Sequence, residues 1–170
     1  MNVLESFSLK GKVALVTGGA GLYGRQIVEA LAEAGAETYI ASRNLESLQQ
    51  VAKEEVERGH NVTAMKLDLS EDESIENLHQ AIIEKSGKCD ILINNAVSRE
   101  FGSAGWKNTL DDFDKSLRIN ASALFKITQL FSEDMKKNNS GSIINIGSMM
   151  GTVGVENGNY EGTDFTPATS

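Results

Sequence analysis

Apolar residues arrive along this chain in two alternating rhythms. Short, nearly unbroken apolar bursts occur at Lys12 to Thr17 (KVALVT), Glu37 to Ser42 (ETYIAS), Val62 to Leu67 (VTAMKL), Asp90 to Asn94 (DILIN) and Ser142 to Gly147 (SIINIG). Runs of this length and density predict strands buried on both faces. Between them the apolar positions recur every third or fourth residue, the helical period. Arg25 to Ala34 predicts a helix stopped by Gly35. Leu45 to Arg58 predicts a second, with Leu45, Leu48, Val51 and Val56 on one side, Asn44 as its cap and Gly59 at its end. Ser70 and Glu73 have capping-box spacing for a helix running to about Ser86. Thr109 and Asp112 open a long helix to about Lys137.

Strand-helix alternation with short links implies parallel βαβ units in a doubly wound α/β sheet. We find no internal repeat and no low-complexity segment. From Gly147 onward the period vanishes and Gly, Thr and Asn dominate, so this tail reads as loop.

The turn after the first strand carries the first candidate chemistry. TGGAGLYG (Thr17 to Gly24) leaves a strand and opens a helix. A pyrophosphate can reach free N–H groups at a helix N-terminus only where no side chain blocks it. Gly18 suits the tight turn, Gly21 the close approach and Gly24 the packing of helix on strand, while Leu22 and Tyr23 complete the loop. The bland alternative is a tight turn with no ligand. The second strand ends at ASRN, where a dinucleotide's adenosine ribose is read. An acidic residue there would favour NAD. Ser42 and Arg43 stand instead, and an arginine suits a 2′-phosphate, so the sequence leans to NADP over NAD. The alternative is an Arg43 that merely lies on the surface.

Composition narrows the partners. A net charge of -8 argues against nucleic acid or an anionic membrane as the ligand. No apolar run has membrane-spanning length, and the first residues lack the pattern of a secretory signal. The lone cysteine, Cys89, permits no internal disulfide, which places the expected location in the cytoplasm. His60 and His79 lack ligand partners at metal spacing, so no metal site is expected.

Further motifs make the pattern specific. The third strand ends at Asp68 and Leu69, the fourth in Asn94, Asn95 and Ala96, the long helix carries Asn120, and the fifth strand leads to Ser148. In this order the set resembles the short-chain dehydrogenase/reductase family, from about Lys10 to the end. The resemblance implies a Rossmann-type domain spanning residues 1–170, with strand order 3-2-1-4-5, and an oxidoreductase that moves hydride between a nicotinamide and an alcohol or carbonyl. It gives Asp68 and Leu69 contact with adenine. Asn94 and Ala96 would line the cofactor groove and steady the sheet, with Asn95 in the same motif. Asn120 would help position a lysine, and Ser148 would hydrogen-bond the substrate oxygen. It also implies a homo-oligomer in the full-length form; of the apolar stripe Phe113, Leu117, Leu124, Ile127, Phe131 and Met135, part is expected to face the sheet and part to lack cover and promote association. Two departures stand out: Val97 occupies a usual glycine position, and Leu22 the ordinary branch's second loop glycine.

Catalysis in the family needs a tyrosine and a lysine as YxxxK. Tyr160 lies at a suitable distance beyond Ser148, but Asp164 stands in the lysine's place, and Gly162 and Pro167 oppose a helix there. The ending instead resembles a subgroup acting in sugar and flagellin-glycan modification, in which a loop like YEGTDFT precedes the true YxxxK. On that reading Tyr160 is not the base, the domain is incomplete at its C-terminus and truncated after the fifth strand, and the chain is inactive alone. The small-molecule substrate would be a sugar or sugar nucleotide. Two alternatives stay open: an extended-branch epimerase or dehydratase on nucleotide sugars, and a non-catalytic dinucleotide-binding module.

Overall fold

The computed structural model describes residues 2–99, 108–148, 151, 152 and 158. A single helical turn, α1 (Val3–Ser6), precedes strand β1 (Val13–Thr17). There follow α2 (Leu22–Glu33), β2 (Glu37–Ser42), α3 (Leu45–Glu57), β3 (Val62–Lys66), α4 (Asp72–Ser86) and β4 (Ile91–Asn94). Helix α5 (Leu110–Leu117) then passes through a π-helical turn (Arg118–Ser122) into α6 (Ala123–Lys137), which leads to β5 (Ser142–Asn145). All strands pair in parallel, in the order β3-β2-β1-β4-β5. This is the doubly wound Rossmann-type sheet the sequence predicted.

The alternation of strand side chains divides the core in two. Leu15, Tyr39 and Leu92 face α4 and α6, where they meet Ile75, Ile82, Ile127 and Phe131. Val16, Ile40 and Ile93 face the other way, onto Val28 of α2 and Leu48 and Val51 of α3. Neighbouring strands hold these sets level, with Val16 opposite both Ile40 and Ile93. Cys89 lies under the first layer, and burial pushes its thiol up to about 12, so it is a packed side chain rather than a nucleophile.

Local details depart from the sequence pattern where a distant partner intervenes. Helix α2 starts at Leu22 rather than Arg25, which brings the helix N-terminus into the glycine loop. In α3, Asn44 caps through Ser47 N–H and Gly59 takes a positive φ of 90°, as expected. Val56, however, is exposed, and Glu55 is buried in its stead. The Glu55 carboxylate is held there by His60 and Arg58. Ser70 does not cap α4. Its hydroxyl and its N–H both bond Asp68 Oδ1, at 2.7 and 2.9 Å, and Glu71 takes the cap position without a side-chain bond. The Thr109–Asp112 capping box is present. The long helix it opens is broken by the π-turn, a rare element that tends to mark functional positions.

The amino-terminal edge of the sheet is tied by Asp90. Its carboxylate accepts the Val13 N–H at 2.9 Å and pairs with Lys88 at 2.8 Å and Lys12 at 3.5 Å. Burial pushes its pKa upward, but the Lys88 and Val13 bonds and the two lysine charges outweigh it and hold the carboxyl below its ordinary value. A depressed native pKa stabilises the fold above the unfolded value of about 4, and that contribution is lost as pH falls through the native one. Asp90→Asn should therefore lower stability near neutral pH and flatten its decline in acid. Denaturant titrations between pH 7 and pH 3 check this; curves that stay parallel would refute it.

Candidate functional site

At the carboxyl ends of the strands lies a crevice of about 590 Å³. Its walls come from the glycine loop, the ends of β2 and β3, and the segment after β4. Ligands of open α/β sheets bind at this location, where strand order reverses about β1.

The glycine loop forms the floor. Gly18 has a φ of 70°, which a side chain would strain, and it packs against the end of β4 so closely that a Cβ would lie 3.1 Å from Ala96 Cα. A Cβ on Gly24 would sit 2.1 Å from the Gly18 carbonyl oxygen, so helix and loop touch only because Gly24 has none. Gly21 differs. A Cβ there would come within 3.2 Å of that same oxygen, a tight contact but far milder than the one at Gly24. Gly21 is also the N-cap of α2, with no side chain to satisfy the helix amides. The N–H groups of the first turn, at Leu22, Tyr23 and Gly24, thus open onto the crevice. The side chains of Leu22 and Tyr23 are exposed beside them.

Two residues bolt this floor to β4. Thr17 is buried, and its Oγ1 accepts the N–H groups of Asn95 at 3.1 Å and Ala96 at 3.0 Å while facing the Ile93 carbonyl. In return, Asn95 Nδ2 donates to the carbonyls of Thr17 and Gly18, at 3.0 and 3.2 Å. The sequence reading missed Thr17, and it also missed Gly19, where a Cβ would lie 2.8 Å from Ile40 Cβ. Neither role leaves a local signal; each depends on a residue far along the chain.

Ser42, Arg43, Asp68 and Leu69 line the opposite end together. Hydrogen bonds from Ser70 hold the Asp68 carboxyl below its ordinary value against partial burial, with Arg43 and Lys66 adding positive charge nearby. Ala96 and Asn95 line the crevice. Asn94 needs correcting: it does not face the groove. Its side chain is buried, and its Nδ2 donates to Asn145 Oδ1 at 2.8 Å and Thr128 Oγ1 at 3.0 Å. It steadies the sheet and α6, the other half of its expected role.

Asn120 sits in the π-turn. Its Oδ1 accepts the Ser98 N–H and its Nδ2 donates to the Ser98 carbonyl, both at 2.9 Å, as a neighbouring strand would. The same Nδ2 also reaches Ser116 Oγ at 3.3 Å. This amide fixes the segment Val97–Ser98–Arg99, which lines the crevice. Ser148 follows β5 and is exposed, outside the crevice lining. Tyr160, Gly162, Asp164 and Pro167 lie outside the described residues.

Comparison with known proteins meets this geometry. Residues 12–162 match the pattern of the short chain dehydrogenase family. The chain belongs to that family. A relative, the 7alpha-hydroxysteroid dehydrogenase of Escherichia coli K12, is 30% identical over 161 residues, which are 95% of this chain and 61% of the relative. A metagenomic short-chain oxidoreductase solved in complex with NADP superimposes with a TM-score of 0.81 at 29% identity, covering 92% of this chain and 68% of that one. An NAD+-bound xylitol dehydrogenase superimposes with a TM-score of 0.80 at 30% identity, covering 92% of this chain and 60% of that one. This member of the short chain dehydrogenase family therefore spans about three fifths of the length of such relatives. No helix among its described residues is long and apolar enough to cross a membrane.

Proposed function

We propose that the crevice binds a nicotinamide dinucleotide, with NADP preferred, in an oxidoreductase acting on an alcohol or carbonyl. The observation that carries this is the uncapped N-terminus of α2 opening onto a crevice whose far end holds Arg43. Backbone amides and the helix dipole suit a pyrophosphate, and a guanidinium suits a phosphate on the ribose. When bound, the nicotinamide supplies or accepts a hydride. The chain's own residues supply the setting. Gly21 keeps the approach to the amides clear, Asp68 and Leu69 flank the adenine, and Ala96 forms part of the wall. Ser148, at the end of the strand next to β4, offers a hydroxyl to the substrate oxygen. Asn120 holds the segment between them.

Relatives bound to NADP and to NAD+ support the dinucleotide class equally; Arg43 tips the choice. The test is to titrate NADPH and NADH into the protein and into Arg43→Ala. One charge-assisted contact is worth roughly 1.5–3 kcal/mol, so NADPH should weaken about tenfold to a hundredfold while NADH barely changes. Equal losses for both, or none, would sink the assignment.

The sugar-directed reading rests on the YEGTDFT loop alone. Self-association belongs to the same proposal. Ile127, Phe131 and Met135 of the expected stripe are buried against the sheet, whereas Phe113, Leu117 and Phe125 stay exposed on α5 and α6, a surface suited to burial against a second copy.

A further inference from the structure

The chain carries 24 acidic against 16 basic residues, so its arginines have carboxylates within reach. Arg25 bonds Glu54, Arg58 bonds Glu29 and Glu55, and Arg118 bonds Asp72. Arg43 acts on Asp68. Arg99 differs. Among the described residues it has no hydrogen-bond or ion-pair partner, and it lines the crevice wall on the β4 side, away from Arg43.

The backbone that leads to it is held at two points. Asn120 grips both backbone groups of Ser98, the residue immediately before it. Thr17 grips the N–H groups of Asn95 and Ala96 just upstream. The guanidinium is therefore mounted on a backbone held by side chains from β1 and from the π-turn. A backbone already held spares the cost of ordering the segment when a ligand arrives, so only the side chain's own freedom is lost. The wall also borders the reacting end. Asn94 of β4 lies opposite Asn145 of β5, so the segments leading to Arg99 and to Ser148 leave the sheet side by side.

We propose that Arg99 is a substrate-specificity residue that receives an anionic group, a carboxylate or a phosphate, on the molecule whose alcohol or carbonyl faces Ser148. This rests on the oxidoreductase reading above. A guanidinium suits either anion because both present paired oxygens at matching spacing. The tail of an anionic substrate would neutralise Arg99 while its reactive carbon lies toward the nicotinamide.

The test uses three probes of one carbon skeleton: gluconate, glucose 6-phosphate and glucose. NADPH binding is measured first, by its fluorescence; no binding would sink the dinucleotide reading itself. On the NADPH-saturated protein, each probe is then titrated while the Arg99 Nε–H resonance is followed by NMR. We expect at least one anion to shift that resonance saturably and to bind at least about tenfold tighter than glucose, with the stronger of the two naming the group. Arg99→Gln should abolish that preference and leave NADPH affinity unchanged, while Arg99→Lys should restore part of it. Saturation by glucose with equal affinity, no saturable shift from either anion, or an unchanged preference in Arg99→Gln would each overturn the proposal. So would a tenfold loss of NADPH affinity in Arg99→Gln, which would assign Arg99 to the dinucleotide.

Discussion

Thr17→Val should cost the protein about 2–5 kcal/mol of stability, although the two side chains have nearly the same shape. The substitution removes one oxygen from a buried site. That oxygen accepts the N–H groups of Asn95 and Ala96, and valine offers neither an acceptor. Leaving a buried donor unsatisfied costs about 1–3 kcal/mol each. Typical domains hold only 5–15 kcal/mol in reserve, so the variant should unfold at markedly lower denaturant. Thr17→Ser keeps the oxygen, loses a methyl group, and should recover most of the difference. Urea titrations of the three proteins decide the point. A Thr17→Val midpoint equal to that of wild type would show that the hydroxyl does not hold the end of β4.

The second large effect is expected at Gly24. Alanine there would put a carbon 2.1 Å from the Gly18 carbonyl oxygen and 3.0 Å from Gly19 Cα. Backbone cannot swing aside as a side chain does, so α2 must lift off its loop. Overpacking of this kind costs about 1–3 kcal/mol or more. The lift also moves the α2 amides away from the crevice floor, and NADPH affinity should fall by at least about tenfold. Gly21→Ala separates the two consequences. Its Cβ would press on one backbone oxygen at 3.2 Å, which calls for a small shift, so the stability loss should stay well below that of Gly24→Ala while NADPH binding weakens, because the new methyl group stands in the ligand's approach. Thermal unfolding and NADPH fluorescence on both variants provide the comparison. If Gly21→Ala binds NADPH as wild type does, the pyrophosphate lies elsewhere.

The central strands were legible because a strand covered on both faces must be apolar throughout, as VALVT is; β3 and β5, at the edges of the sheet, were expected to be buried on both faces too, but β3 is only partly covered and β5 is largely exposed. The glycine loop was legible because its chemistry is local. What escaped was decided by partners far along the chain. Ser70 has the right spacing to cap α4, yet Asp68 claims its hydroxyl first. Val56 sits on the helical period of α3, but the neighbouring Glu55 finds His60 and Arg58 and takes the buried place. Asn94 and Asn95 look alike in sequence. Successive residues at a strand end point to opposite sides, and so one ties β5 and α6 while the other secures the glycine loop. Nothing in the sequence pattern singles out Arg99; its signal is the lack of a partner, which only the arrangement of all the other charges reveals.

The π-turn at Asn120 works as a phase shifter. One residue is worth about 100° of rotation around a helix axis. Arg118–Ser122 takes up such a residue, so α5 and α6 follow one another without a common angular reference. The apolar positions before the turn and those after it therefore belong to two separate clocks. Only the second is set by the sheet, through Ile127, Phe131 and Met135. Deleting a single residue within the turn would force one clock onto the other. Either α6 would rotate its anchor residues off the core, or α5 would rotate and carry the Asn120 amide away from Ser98. Along this long helix, chain length at the turn is thus held as tightly as residue identity in the core, and a change of one residue here would reach both the packing of the sheet and the wall of the crevice.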